Sequence, residues 1–324
     1  MGEKMRKSDV FIGILCAVVC EVLYGFSYIF TKNLTNVVTP MELLCWRFIT
    51  AAIVLNICWA LKLIKIDLRG KNLKSLFLIA LFQPALYFTC ETIGISLTTA
   101  SESGTIIACI PVVTLICSTL ILKEKPNRWQ VMGITMTLVG VIGIVLMQEV
   151  EASLNVGGYI ILSMGVTFYA LYSVFAQKEK SFSDMEKTYI MIMTGAILFP
   201  LVAIIENGIN HEIRALVTLP FTNINILVAI LYLGVGSSVV AFLLSNVAIS
   251  KIGTNRVSTF IGLSTIISVL AGVIILDESF SKYQIIGTVL IMIGVYIANK
   301  KHECEVEEGE VEYERNNRET EEIL

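Results

Sequence analysis

The sequence predicts an all-α membrane protein in which ten transmembrane helices form two inverted five-helix repeats. Three observations predict this fold class: an apolar composition, a regular series of long apolar runs, and a motif that recurs at a constant spacing. Of the 324 residues, 55% are hydrophobic and 16% are charged, and the mean hydropathy is +0.77. A soluble domain carries about 25% charged residues. This composition therefore favours a lipid bilayer as the surroundings of the chain.

The apolar runs have the length that a membrane-spanning helix requires. About 20 mostly apolar residues cross the hydrocarbon core, and short polar connections separate the runs. The first run contains Glu21 and lacks a small-residue cleavage site, so we interpret it as a span and not as a signal peptide. The predicted spans are 10–31, 43–61, 76–96, 104–122, 129–147, 157–177, 188–205, 224–250, 257–276 and 283–299.

Positive charge is distributed unevenly between alternate connections. The N-terminus, the connections after even-numbered spans and the exit of the last span carry 18 Lys and Arg residues. The other connections carry three, which are Lys32, Arg214 and Lys282. Because cytoplasmic loops are enriched in Lys and Arg, both termini are expected in the cytoplasm and the number of spans is expected to be even. The plasma membrane is the expected location.

A sequence repeat divides the chain into two halves. At an offset of 154 residues, Leu122-Lys-Glu124 aligns with Leu276-Asp-Glu278. Residues 1–150 are therefore predicted to form the first repeat and residues 151–301 the second. Because each repeat has an odd number of spans, the second is predicted to be inverted in the membrane. Further aligned identities are Thr105/Thr259, Gln130/Gln284, Gly133/Gly287 and Gly140/Gly294 at the same offset, and Tyr24/Tyr169, Phe30/Phe175 and Met41-Glu42/Met185-Glu186 at offsets of 144 or 145.

The segment 302–324 differs in composition from the rest of the chain. Residues 303–324 contain ten of the 27 acidic residues and two of the 24 basic residues. This segment is predicted to be a disordered, acidic cytoplasmic tail, because a polar segment of high charge cannot bury enough apolar surface to fold. The remaining chain has short basic loops but no basic face, so no nucleic-acid partner is expected.

Glycines are spaced seven residues apart in the fifth and tenth predicted spans. Gly133 and Gly140 share one face of the fifth span, and Gly287 and Gly294 share one face of the tenth. Small faces let helices approach closely. We expect these faces to pack within the monomer, with a homodimer as the alternative.

Inverted repeats are typical of secondary transporters, and the repeated residues also resemble a known family. Arg47 in Cys45-Trp-Arg-Phe is similar to the second-helix arginine of the EamA-type transporters, which belong to the drug/metabolite transporter superfamily. The resemblance covers residues 10–300 and implies a ten-helix fold, a central cavity and, usually, export of amino acids, metabolites or drugs. Thr265 stands where the repeat would place a second Pro111, so the second half is expected to lack that kink. The motif that carries the resemblance is Pro111-Val-Val, Leu122-Lys-Glu124, Gln130, Gly133 and Gly140-Val, with its echo Leu276-Asp-Glu278, Gln284, Gly287 and Gly294-Val.

Ionisable side chains are rare within the predicted spans, where each costs about 2.5–3.5 kcal/mol at a helix centre. Glu21 lies halfway along the first span. Tyr24, Gly25 and Tyr28 follow it at helical spacing, so a carboxylate, two phenols and a backbone gap share one face. We interpret this face as the lining of a cavity. Packing of Glu21 against a neighbouring helix is the alternative.

Arg47 and Glu91 form a second candidate group. At about 1.5 Å per residue, Arg47 is expected roughly 6 Å inside the outer end of the second span, and Glu91 is expected at a similar depth in the third. This similarity permits an ion pair, which would suit a structural role and a substrate site equally well. Tyr87 shares the face of Glu91, and Pro84 lies one turn below Tyr87 and frees a backbone carbonyl.

The second half contributes aromatic and amide side chains to the candidate site. Tyr169 and Tyr172 share a face of the sixth span, and Asn246 is the strongest polar group of the eighth. Aromatic rings can hold a cation. The candidate substrate-binding or coupling residues are therefore Glu21, Tyr24, Tyr28, Arg47, Tyr87, Glu91, Tyr169, Tyr172 and Asn246.

An enzymatic function is disfavoured by the residues within the spans. The two histidines, His211 and His302, lie outside the spans, so a catalytic triad has no base. The cysteines of the spans have no accompanying histidine and are expected to be small packing residues. No catalytic residue, metal or cofactor is predicted.

These observations together predict a secondary transporter with a small-molecule substrate and the lipid bilayer as its partners. We expect export of small metabolites, such as amino acids or organic cations, by alternating access with proton coupling or exchange. Coupling is expected because a carboxylate at the midplane can take up and release a proton as its environment changes. An uncoupled facilitator or channel for small metabolites is the alternative.

The charge distribution makes a prediction about topology. A reporter that is active only in the cytoplasm is expected to be active after Lys71 and after Lys301, because these positions follow even-numbered spans. A reporter that is active only outside the cell is expected to be active in the loop at Asn210. Cytoplasmic activity at Asn210 would contradict the predicted number of spans.

Overall fold

A computed structural model describes residues 7–68, 71, 73–122, 128–147, 155–209, 213–278, 281–283, 285–294 and 296–297. The predicted tail 302–324 and Glu124 lie outside these residues. Within them, eight helices are long and apolar enough to cross a membrane, and two more helices lie where the fifth and tenth spans are predicted. In chain order the ten are α1 (Ser8–Thr35), α2 (Pro40–Ala60), α3 (Lys74–Leu97), α4 (Ala100–Ile121), α5 (Arg128–Met147), α6 (Val156–Lys178), α7 (Asp184–Ile209), α8 (Ile224–Ile252), α9 (Thr254–Ile275) and α10 (Ile285–Gly294).

The prediction of a helical membrane protein is confirmed, whereas ten spans and their inverted arrangement stay predictions. A short helix, Ile213–Thr218, lies in the connection between α7 and α8. This connection is the only long one that the sequence predicts, and a surface turn of helix is expected there.

The N-termini of α2 and α7 share a capping motif, which one part of the sequence repeat encodes. Thr39 and Glu42 form a reciprocal capping box at α2, with N–O distances of 2.8 and 3.3 Å. Ser183 and Glu186 bond in the same way at α7, at 2.9 and 3.2 Å. Each box satisfies two backbone amides that a helix start would leave unpaired. The aligned Met-Glu pairs at 41–42 and 185–186 thus mark equivalent helix starts.

Four of the long helices are interrupted, and the interruptions occur in matching pairs. A π-helical segment, Leu81–Leu86, interrupts α3, and another, Tyr232–Val240, interrupts α8. Helix α4 is broken at residues 108–109, and α9 is broken at Phe260. The offset of 154 residues relates the members of each pair to within a few residues.

The expectation that the second half lacks the kink of the first is wrong, because α9 is interrupted as well. Pro111 lies in the first turn of the helical segment Ile110–Leu122, where a proline lacks no needed hydrogen bond. The proline thus fits the start of this segment, and the interruption of α9 at Phe260 shows that a break can form at the equivalent place without a proline. For this reason, Thr265 in the corresponding position does not restore a continuous helix.

The helices pack in a pattern that is unchanged when the two halves are exchanged. Helix α1 packs against α8 and α9, and α6 packs against the equivalent helices α3 and α4. Helix α2 packs against its own equivalent α7, and α4 packs against its equivalent α9. The largest cluster of buried apolar residues lies between these helices.

Polar contacts define two ends of the bundle. At one end, which we call the Asp9 end, Lys251 near the end of α8 bonds to Asp9 near the start of α1, at 2.5 Å. At the other, which we call the Lys32 end, Lys32 of α1 donates to the carbonyl oxygen of Ile95 at 3.2 Å. At the same end, the hydroxyl of Tyr159 in the first turn of α6 donates to Glu102 of α4 at 2.8 Å. Helices α1 and α6 therefore begin at opposite ends.

The glycine faces of α5 and α10 pack against each other within the monomer. A Cβ atom at Gly140 would lie 3.0 Å from the carbonyl oxygen of Gly287, and one at Gly294 would lie 2.8 Å from that of Gly133. Backbone thus meets backbone at two levels of the same contact. These faces are used inside the monomer, as expected from the sequence.

This contact makes a prediction about stability. Gly294→Ala is expected to lower the free energy of unfolding by about 1–3 kcal/mol, the usual cost of an overpacked contact, because the facing backbone cannot move aside as a side chain can. The midpoint of thermal unfolding in detergent measures the effect.

Gly262→Ala is the matched control, because a Cβ there would meet only the end of Met292, at 3.7 Å. Alanine is the better helix former, so this variant is expected to be at least as stable as the parent. Equal midpoints for the two variants would contradict the close contact between α5 and α10.

Candidate functional site

A narrow cavity of about 10 Å³, enough for about one water molecule, lies where α1, α3, α4, α6 and α9 meet. The helices on both sides of the repeat contribute to its wall. Five of the nine candidate residues lie together in it, and they supply its one charged side chain and all four of its aromatic rings. The lining consists of Glu21, Tyr24, Tyr28, Tyr87, Ile107, Ile110, Tyr169, Ile261 and Ser264.

Glu21 supplies the carboxylate of this cavity. Its side chain is 2% exposed and lies beside the hydroxyl of Ser264 on α9. Helices α1 and α9 approach this closely because Gly25 has no side chain, and a Cβ there would lie 2.7 Å from Ile267. Helix α9 thus fills the space at Gly25 that the sequence suggests as a gap. Among the described residues, no basic side chain pairs with Glu21.

Four tyrosines form the aromatic wall of the cavity. The rings of Tyr87 and Tyr169 meet edge to face with their centroids 5.2 Å apart, which joins α3 to α6. Tyr24 and Tyr28 face them from α1, and the hydroxyl of Tyr24 is buried without a hydrogen-bond partner. An unpaired hydroxyl inside a membrane protein is costly, so this group is available to a bound solute.

Glu91 lies next to this wall, on the same face of α3 as Tyr87. The Tyr87 hydroxyl donates to Oε1 of Glu91 at 2.5 Å. Their separation of four residues places them on adjacent turns, as the sequence predicts. The bond orients a phenol that lines the cavity and ties it to a second buried carboxylate.

Arg47 is buried but does not form the ion pair with Glu91 that its depth permits. Its Nε donates to Ser238 at 2.8 Å and its Nη2 donates to Ser237 at 2.9 Å. The guanidinium also lies over the ring of Phe88, at 4.2 Å from the centroid. Glu91 acts on it through space only. The expected pair is therefore replaced by neutral hydroxyls on α8.

Ser237 and Ser238 were not among the candidate residues. They lie in the π-helical segment of α8, where the Ser238 hydroxyl also donates to the carbonyl oxygen of Leu233 at 2.9 Å. A sequence signal for them exists, because the offset of 154 places them opposite Gln83-Pro84, the interruption of α3. Two hydroxyls inside a long apolar run, at the repeat position of a helix break, indicate a polar contact.

Tyr172 and Asn246 are buried but lie outside the cavity lining. The Tyr172 hydroxyl donates to the side-chain oxygen of Asn246 at 3.0 Å, and the Asn246 amide donates to Thr188 at 3.0 Å. These bonds join α6, α7 and α8. The arrangement gives both residues a packing role, and the ring of Tyr172 contacts that of the cavity residue Tyr169, with the centroids 5.6 Å apart.

The described chain therefore has the features of a multi-pass membrane transporter: apolar helices that can span a bilayer, paired helix breaks and a polar cavity between the two halves. Residues 11–146 and 156–300 each match the EamA-like transporter family, and the chain belongs to this family. The resemblance seen in the sequence is confirmed. The protein is thus a transporter and not an enzyme.

Several proteins similar to this chain are named as transporters or efflux pumps. A protein of Bacillus subtilis named "Uncharacterized transporter YcxC" is 32% identical over 88% of this chain and 92% of its own length. Proteins of Salmonella typhimurium and Escherichia coli named "Probable amino-acid metabolite efflux pump" are 23% and 25% identical, each over 57% of this chain and 62% of their own length. A protein of known crystal structure has the same fold, with a TM-score of 0.60 and 19% identity over 90% of this chain and 96% of that one.

The contacts of Arg47 make a prediction about stability. Ser238→Ala is expected to lower the free energy of unfolding by about 1–3 kcal/mol, because it leaves a charged N–H group buried without a partner. In an Arg47→Met background the same substitution is expected to cost much less, since the donor is already absent. Thermal unfolding in detergent measures all three variants.

Ser163→Ala is the control, because Ser163 bonds only to a carbonyl of its own helix, that of Tyr159, at 2.8 Å. It is expected to change stability little. Equal losses for Ser163→Ala and Ser238→Ala, or the same loss at Ser238 with and without Arg47, would count against the contact.

Proposed function

We propose that this transporter exports small metabolites, such as amino acids or organic cations, by alternating access between two inverted five-helix halves, with proton coupling or exchange. It would act in the plasma membrane with both termini in the cytoplasm. The observation that carries the proposal is the cavity between the halves, where a single carboxylate, that of Glu21, faces four tyrosines.

The charge of Glu21 argues for a proton or a cation at this site. An ionised carboxylate in an apolar interior is costly unless it is paired, and the described residues offer Glu21 a hydroxyl but no basic side chain. A proton neutralises the group, and so does the ammonium of a bound substrate. The two would therefore compete for one carboxylate, which is the arrangement that couples their movements.

The tyrosines argue for the chemical class of the substrate. Aromatic faces attract cations, and the attraction grows when water is excluded. The cavity volume of about 10 Å³ is far below the range of about 300–1,000 Å³ that is usual for drug-sized ligands, so the surrounding helices would have to separate before a substrate binds. A small amine or amino acid requires less of this opening than a large drug does. The names of the relatives from Salmonella typhimurium and Escherichia coli agree with amino-acid export.

Alternating access is supported by the relation between the two halves. Helices α1 and α6 begin at opposite ends of the bundle, and the packing pattern is unchanged when the halves are exchanged. Inverted halves around a central site can rock so that the site faces each side in turn. The cavity lies between helices of both halves, which is the position that such a movement requires.

Coupling can be tested through Glu21. A gradient of one pH unit is tenfold in proton activity, worth about 1.4 kcal/mol per proton, so one-to-one coupling sustains a substrate gradient of about tenfold. Vesicles containing the wild type are expected to build such a gradient. Glu21→Gln is expected to fold and to equilibrate substrate, but without any response to pH, because the amide keeps the shape and cannot carry the proton.

Glu91→Gln is the matched control, since Glu91 is also a buried acid of the cavity region but bonds to Tyr87. It is expected to keep the response to pH. A full response in Glu21→Gln would exclude Glu21 as the coupling group. Equilibration by the wild type that ignores the gradient would indicate an uncoupled facilitator.

A further inference from the structure

Between the cavity and the Lys32 end, α4 and α9 meet along a seam of small residues. The Thr265 hydroxyl on α9 donates to the carbonyl oxygen of Gly104 on α4 at 3.0 Å. A Cβ at Gly104 would overlap the side chain of Ser268. Both helices also line the cavity, through Ile107 and Ser264. The seam therefore separates the cavity from the space beyond the Lys32 end.

A single carboxylate closes this seam at its outer limit. Glu278 follows α9, and its Oε1 accepts a hydrogen bond from the backbone amide of Ala100 at 2.7 Å. Its Oε2 accepts from the amide of Ser101 at 3.0 Å and from the hydroxyl of Ser101 at 2.7 Å. Ala100 and Ser101 begin α4, where free amides and the helix dipole favour a negative charge.

The local backbone is shaped to place this carboxylate. Asp277 has a positive φ of 51°, and the amide of Glu278 bonds back to the carbonyl oxygen of Gly272 at 3.1 Å. The turn brings the side chain of Glu278 over α4. Gly272 leaves the necessary space, because a Cβ there would overlap both the Glu278 carboxylate and the Ser101 hydroxyl.

The other ends of the same two helices have a different contact. The amide of Thr254, which begins α9, bonds to the neutral side-chain oxygen of Gln177 on α6 at 2.8 Å. Ser118 of α4 contacts the neutral side chain of Asn255 at 3.3 Å. These two contacts are between neutral groups, and Glu124, which the repeat places opposite Glu278, lies outside the described residues.

We infer that Glu278 is the gate residue of the transport cycle at the outer face of the membrane. Small residues bury little apolar surface, so the seam itself resists separation weakly. The three charge-assisted bonds of Glu278 supply the main attraction that must break when the cavity opens towards the Lys32 end. This inference rests on the proposed alternating access and on the proposed orientation.

Side-specific access to the cavity tests the gate. The full-length protein carries one thiol, from Ile107→Cys in a chain whose native cysteines are replaced by serine, and lies in oriented vesicles. A membrane-impermeant thiol reagent is applied to one side at a time. Glu278→Gln is expected to increase labelling from the outer side by about tenfold or more, as the loss of a charge-assisted bond implies, and to leave inner labelling unchanged.

Two further variants separate the gate from general loosening. Ser101→Ala, which removes one of the three bonds, is expected to increase outer labelling less than Glu278→Gln does. Glu42→Gln is the control, because Glu42 is a carboxylate at the same end that caps only its own helix. Unchanged outer labelling in both Glu278→Gln and Ser101→Ala, an increase from the inner side, or an equal increase in Glu42→Gln would overturn the inference.

The labelling needs neither a substrate nor a pH gradient. A wrong substrate class or the absence of proton coupling would therefore leave its result unaffected, and a failed gate would leave the test of Glu21 unaffected.

Discussion

A helix that is interrupted inside a lipid bilayer leaves backbone groups that only the protein itself can satisfy. This constraint organises the molecule, because four of its long helices are interrupted and the polar contacts gather around the breaks. The Ser238 hydroxyl donates to the carbonyl oxygen of Leu233 within α8 and accepts a hydrogen bond from Arg47 of α2. The breaks of α4 and α9 lie beside the cavity residues Ile110 and Ile261. The cavity therefore lies beside the points where helical hydrogen bonding is interrupted.

Much of this arrangement can be predicted from the sequence, because the relevant signals are local or repeated. The stripe of Glu21, Tyr24 and Tyr28 follows from helical spacing alone, and all three line the cavity. The start of α7 could be located from its likeness to the start of α2. Helix faces and helix starts depend on neighbours within a few residues, so a single sequence contains what is needed to find them.

The partners of Arg47 could not be predicted from depth and charge. The sequence predicts an ion pair between Arg47 and Glu91 because both are ionisable and lie at a similar depth in the membrane. The actual partners of Arg47 are the neutral residues Ser237 and Ser238, about 190 residues further along the chain. A guanidinium has five N–H groups and can be satisfied by hydroxyls as well as by carboxylates. Likewise, the break of α9 at Phe260 could not be predicted, because no proline lies there. Tertiary contacts decide both features.

The glycine contact between α5 and α10 has a consequence for how such proteins diversify. Among the described residues, neither helix contributes a side chain to the cavity lining, and the two helices approach backbone to backbone at their glycines. Their remaining faces, such as Val139 and Ile286, are exposed and apolar. Substitutions of these residues can adjust the protein surface to the thickness and fluidity of the host membrane. A lineage can therefore adapt to a new lipid environment through this pair while the set of solutes it handles stays the same.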